Sequence, residues 1–260
     1  MARSDPNQMG FFEHLDELRG RMVWTLVIWV VIFIGCFMYH KLIFDFLANP
    51  FLGLQEGNSF VMVDPKEPFL ASLRSAFWAS LILSSWIIFY HIWSFVAPGL
   101  TRKEKWFALP FLIFMALFFI LGCLFSFVQV FPTALDYLLS YHEGANTITR
   151  TYYLSILFAF VVGMGLSFEM PLVIFFLAKV GLVTPQFLLA KFKYAVLIIF
   201  TIAAVITPTP DPYIQTFLAV PMILLYLLGV LGAWMVAKKK PTEELVGPEP
   251  VPTDLDEDAS

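Results

Sequence analysis

The stretch GLSFEMP, residues 165–171, sets a glutamate, Glu169, near the middle of an apolar run that extends from about residue 152 to residue 180. A hydrocarbon core of about 30 Å takes roughly 20 helical residues to cross at about 1.5 Å each, so the run reads as a transmembrane helix with a carboxyl group at lipid depth. An acidic residue at the centre of a span costs about 2.5–3.5 kcal/mol on translocon scales and by default faces the protein interior, a partner or a water-filled cavity. Gly163, Gly165 and Ser167 lead up to Glu169, and Pro171 denies the Ser167 carbonyl its usual helical donor. A protonated glutamic acid satisfied by such local groups is one reading. The preferred one is a polar notch that receives a polar group from another transmembrane segment.

The rest of the chain is of the same kind. Of its 260 residues 59% are hydrophobic and only 14% charged, far from the balance of an ordinary soluble domain. Six apolar runs stand out, at about residues 22–39, 69–96, 107–131, 152–180, 194–207 and 213–236. The second and fourth exceed a perpendicular span, which implies tilt or projecting ends. The fifth, at about fourteen residues, covers only about 21 Å and is expected to thin the bilayer locally. The first run lacks a small-residue cleavage site behind it and is retained as a span. With the N-terminus inside, twelve of the sixteen Lys and Arg fall on the cytoplasmic side, leaving Lys41, Lys66, Arg74 and Arg150 outside. Both termini are therefore expected in the cytoplasm. The fold class is an all-α membrane protein of six transmembrane helices, with residues 1–237 as one membrane domain. Residues 238–260, basic and then acidic, read as a disordered cytoplasmic tail.

The segment between the first two runs, HKLIFDFLANPFLGLQEGNSFVMVDPKEP, holds Pro50, Pro65 and Pro68 yet keeps its Leu, Ile and Phe. That mixture predicts an ordered extracytoplasmic cap against the membrane surface, since a flexible tether would not retain so many apolar residues. Cys36 and Cys123 lie inside apolar runs as small buried hydrophobes. The four histidines lack ligand spacing, and there is no phosphate-binding glycine loop and no nucleophile elbow. No metal, cofactor, catalysis or nucleic-acid binding is expected.

Three further polar features need a reason. In HLDELRGRM, residues 14–22, Glu17 and Arg21 have helix-pairing spacing, but Asp16 and Glu17 also put acid at an anionic lipid surface, where it calls for a cationic partner. In VAPGLTRKEKW, residues 96–106, Thr101 and Glu104 have capping-box spacing. If the lead-in helix packs beside this loop, Glu17 and Glu104 form an acidic patch suited to bidentate recognition of two guanidinium groups. In TPTPDPYIQTF, residues 207–217, three prolines force a tight turn around Asp211. Gln215 then stands about one turn into the sixth span, able to bond across helices or within its own chain.

EHLDELRGRM, IWSFVAPGLTRKE, VFP, GLSFEMP, TPTPD and QTFLAVPM, in this order and in register with six spans, resemble the TatC family, the polytopic subunits of the twin-arginine protein translocase. The turn TPTPD departs from the shorter Pro-Pro-Asp turn frequent in that family. The resemblance implies a cupped bundle in the bacterial inner membrane that holds the twin-arginine signal peptides of folded cargo at positions matching Glu17 and Glu104, with Arg19 in the same motif. It also implies association with the single-span subunits TatA and TatB through the fifth and sixth helices, where Thr207, Asp211 and Gln215 lie. Self-association in the complex and export driven by the proton-motive force go with it. The position matching Glu169 is implied to contact partner helices or the inserted signal peptide. A proton-coupled small-solute transporter is the alternative, because a lone intramembrane acid can carry protons. An intramembrane protease is more remote, for want of a Ser/His or paired-Asp constellation.

Overall fold

A computed structural model of the chain describes residues 11–96, 108–141, 146–207 and 211–236. Helix α1, Phe11–Met38, carries the polar lead-in straight into the first span without a break. Tyr39 leaves helical geometry, and α2, His40–Leu52, sets off afresh with Pro50 inside it. The strand β1, Ser59–Val61, and the long helix α3, Glu67–Val96, follow. Helix α4, Ala108–Phe125, passes through one π turn, Ser126–Val130, into α5, Phe131–Leu139. Pro132 has no N–H for the carbonyl four residues back, and the Phe131 N–H reaches Ser126 O, so the helix widens and runs on past the expected end near residue 131.

The strand β2, Thr147–Thr149, leads into α6, Arg150–Phe168, and α7, Met170–Val180, follows after one residue. Gly181, at φ 87°, closes α7 in the left-handed conformation that favours glycine. Thr184 then caps the short helix α8, Pro185–Ala190. The last elements are α9, Phe192–Ile206, and α10, Pro212–Val236. Five of the apolar stretches among the described residues are long enough to cross a membrane: Arg19–Met38, Glu67–Ser94, Pro110–Leu139, Arg150–Val180 and Pro212–Val236. The sixth pass, α9, has fifteen residues, about 22 Å of helix against a hydrocarbon core of about 30 Å.

The helices form an open succession. The main neighbour of α1 is α3; α3 also packs on α4 and α6; α6 packs on α4; and α10 joins α7 to α9. The large side chains Met22, Trp24, Val31, Leu197 and Val205 on the two outer helices are exposed, as lipid-facing residues should be.

The expected cap is ordered, and it is tied to α6 by polar contacts. The Glu67 carboxylate, 6% exposed, accepts the Val63 N–H at 3.1 Å and the Thr151 N–H at 3.4 Å. Arg74 donates to Thr151 O and Ser155 Oγ. Asn58 accepts the Asn146 N–H at 2.9 Å and donates to Phe51 O at 3.0 Å. Strands β1 and β2 pair in parallel, Phe60 opposite Ile148. Beneath them Tyr153, wholly buried, stacks among Phe51, Phe60 and Phe131 and donates its hydroxyl to Leu47 O at 2.6 Å.

Small residues set the central crossing. A Cβ on Gly122 would lie 2.9 Å from Gly165 Cα, and one on Gly165 would lie 2.7 Å from Cys123 Sγ. The backbones of α4 and α6 thus touch where a side chain would hold them apart. Gly165→Val should lower stability in detergent by about 1–3 kcal/mol through overpacking, read as a fall in thermal midpoint. Gly35→Ala, at a position with no atom within 4 Å of the added carbon, should leave the midpoint level or raise it.

Candidate functional site

The Gly122–Gly165 crossing places Glu169 one turn further along α6, where the chain hesitates between two helices. Its N–H bonds Leu166 O at 3.1 Å and its carbonyl accepts the Val173 N–H at 2.9 Å, so the backbone is carried through the junction. Ser167 turns its hydroxyl back to Gly163 O at 2.7 Å and offers nothing to the acid. The Glu169 side chain is 7% exposed, and neither carboxyl oxygen has a hydrogen-bond partner among the described residues. The backbone at Phe119 of α4 approaches the carboxyl group. Ser167, one of the local groups that the sequence offered it, is therefore not its partner. Leu172 and Phe176, three and seven residues on, share its helix face and line an apolar cavity of about 540 Å³ with Trp93, Phe111, Phe118 and Lys179. A carboxyl group thus stands one turn from an aromatic recess.

The turn between α9 and α10 is organised by its own polar groups. Asp211 Oδ1 accepts the N–H groups of Tyr213 at 2.7 Å and Ile214 at 3.3 Å, capping α10. The Tyr137 hydroxyl, on α5, reaches the other oxygen at 3.5 Å and Tyr141 at 2.7 Å, and its ring stacks on Tyr213 at 4.2 Å. Gln215 donates to Phe200 O on α9 at 2.8 Å, a bond within the chain. Thr207 ends α9, buried, with its hydroxyl towards Ala204 O at 3.4 Å. Asp211 and Gln215 are half-buried and keep some surface for a partner. A Cβ on Gly163 would meet Ile206 Cδ1 at 2.5 Å, so the end of α9 seats on α6 about two turns from Glu169. That contact lies thirteen residues into α6, about 20 Å along its axis. The short helix ends deep.

At the other end of the bundle, Arg19 is exposed on α1. The Glu17 side chain and all of Glu104 lie outside the described residues, as does the 238–260 tail. From the sequence Arg21 was a helix partner of Glu17 and His91 one of four histidines without ligand spacing; both line one groove with Arg19 and Trp29, and neither Trp29 nor Tyr137, which holds Asp211, was singled out. For His91 the one available signal was an isolated polar ring near the end of a span.

Apolar helices of spanning length and small-residue crossings define a polytopic membrane protein. Residues 13–221 match the family model described as Sec-independent protein translocase protein (TatC). A protein of that name from Koribacter versatilis is 39% identical over 236 residues, covering 89% of this chain and 87% of the relative. One from Helicobacter pylori strain 26695 is 40% identical over 225 residues, covering 86% and 87%. A crystal structure described as the twin-arginine translocase receptor TatC superposes with a TM-score of 0.77 at 32% identity, covering 86% of this chain and 99% of that one. The chain belongs to the TatC family of Sec-independent protein translocase subunits.

Because an unsatisfied buried polar group destabilises by about 1–3 kcal/mol, Glu169→Met in the isolated chain should raise the thermal midpoint. A fall would mean that the acid has a stabilising partner within the fold.

Proposed function

We propose that this multi-pass membrane protein is the receptor subunit of a twin-arginine translocase in the bacterial inner membrane, with both termini in the cytoplasm. Glu17 and Glu104 together accept the two arginines of a signal peptide, each carboxylate taking one guanidinium in a two-bond fork that lysine cannot reproduce. Arg19, in the same helix, orients the acidic pair. The apolar part of the signal peptide then enters along the bundle towards Glu169, whose carboxyl group gains from the guest the hydrogen bond it lacks. Single-span partners of the TatA and TatB kind assemble along α9 and α10, over Thr207, Asp211 and Gln215. The deep end of α9 on α6 leaves that side of the bundle thin, which lowers the barrier for moving folded cargo. The driving force is the proton-motive force, with no nucleotide hydrolysis and no chemistry performed by the chain.

The observation that carries this reading is the likeness, over 86% of the chain, to a solved protein described as the twin-arginine translocase receptor. The unpartnered Glu169 beside an aromatic recess supports it independently. A proton-coupled transporter finds less support, because the cavity next to Glu169 is walled almost entirely by apolar side chains.

Binding of a twin-arginine signal peptide and its twin-lysine counterpart to the solubilised full chain tests the proposal. The arginine peptide should bind more tightly, and Glu17→Ala or Glu104→Ala should each weaken it by about tenfold or more, the worth of a charge-assisted hydrogen bond. Equal binding by all combinations would return both glutamates to helix-end roles and move recognition to another subunit.

A further inference from the structure

Lys41, Lys66, Arg74 and Arg150 fall on the side of the cap, and Arg74 is the one set well inside a span. Lys66 pairs with Asp64 at 3.2 Å, and the Arg150 guanidinium lies over the Phe44 ring at 4.9 Å where α6 begins. Arg74 stands seven residues into the span Glu67–Ser94. Those 28 residues make about 42 Å of helix for a hydrocarbon core of about 30 Å, so with the excess shared between the two ends Arg74 lies about 5 Å below the head groups. A cation at that depth needs an acceptor. Its Nη1 donates to two neutral oxygens of α6, Thr151 O at 3.3 Å and Ser155 Oγ. No acid pairs with it among the described residues, and the one acid of α3, Glu67, already accepts the N–H groups of Val63 and Thr151. Half of the fork is unused: Nε and Nη2 make no bond among the described residues, and the side chain is exposed.

We propose that Arg74 seats the phosphate of one anionic phospholipid from the leaflet on the cap side, in the crease between α3 and α6. A long basic side chain snorkels from this depth to head-group level. A guanidinium offers phosphate two parallel N–H bonds, here from Nε and Nη2, while Nη1 keeps its hold on α6. Tyr152, half exposed and three residues before Ser155 on the same side of α6, sets an interface aromatic beside the head group. Phe77, one turn further into α3 and exposed, gives an acyl chain an apolar surface, and an edge contact with Trp29 of α1 at 5.4 Å steadies its ring. A positive charge shared only with neutral oxygens favours an anionic head group over a zwitterionic one. None of these residues is used by the receptor reading.

The full chain in nanodiscs that carry a trace of phosphatidylglycerol or of phosphatidylcholine, each with a photoreactive group on the acyl chain near the glycerol, tests the proposal without signal peptide or partner. Peptide mapping after irradiation should find phosphatidylglycerol on the segments around Phe77 and Ser155 about fivefold more than phosphatidylcholine, the worth of one cation beside an anionic head group. Arg74→Gln should remove the preference on these segments and leave labelling of the other lipid-facing helices level. Ser155→Ala, which loosens Arg74 from α6 and keeps its charge, should retain the preference. Its loss in both variants would mean that Arg74 only fastens two helices, and would overturn the proposal. Equal labelling by the two lipids in the wild type, a comparison that needs no variant to fold, overturns it as well, and so does a preference that survives Arg74→Gln. Failure of the receptor reading leaves these results untouched.

Discussion

A polar group carried into the hydrocarbon layer has no water to turn to, and must be satisfied by its own chain or by something that comes to it. Most polar side chains at depth here are satisfied by the chain. Ser167 bonds back to Gly163 O, Thr201 to Leu197 O, Gln215 to Phe200 O, and Tyr226 to Leu188 O. Each ties a helix to itself or to its neighbour. Ser85, Ser126 and the Trp93 indole are left without a partner among the described residues, and so are both carboxyl oxygens of Glu169, the only acid in that position among them. An acid is the costliest of these groups to leave unsatisfied, and in the proposed receptor role a guest helix supplies its missing hydrogen bond.

The open succession of helices follows from the same constraint. Lipid, unlike water, does not force apolar surface together, so α1 and α9 can remain at the edges with exposed flanks. Close packing is concentrated where glycines let backbones meet. Gly122 and Gly165 bring α4 onto α6. Gly229, where a Cβ would lie 3.0 Å from Pro171 Cα, brings α10 onto the start of α7. Both contacts converge on the junction that holds Glu169. The deep seat of α9 leaves a shallow flank beside it.

The six passes were legible in the sequence because apolar runs of spanning length allow little else, and the short fifth pass was visible by simple length. Helix ends were less legible where backbone details decide them: the π turn at Pro132 carries the third pass to Leu139, and Tyr39 separates two helices in what read as a span and a loop. The pairing of β1 with β2 left no trace, because three residues on each side carry no periodicity and their partnership depends on Asn58 and Asn146 meeting across the fold. At the site, Glu169 announced itself by its cost in lipid, and Gln215 by its amide at depth. That Asp211 caps α10 and leans on Tyr137 could not be read, since Tyr137 lies far away in the chain.

The central claim is that the recess beside Glu169 takes in a helix from another chain. A photo-crosslinking side chain in place of Leu172, in the assembled translocase engaged with a twin-arginine substrate, tests it most directly. The account predicts a crosslink to the signal peptide or to a single-span partner helix, lost when Glu169 is also replaced by leucine. Crosslinks to lipid alone, together with normal export by the Glu169→Leu protein, would contradict it.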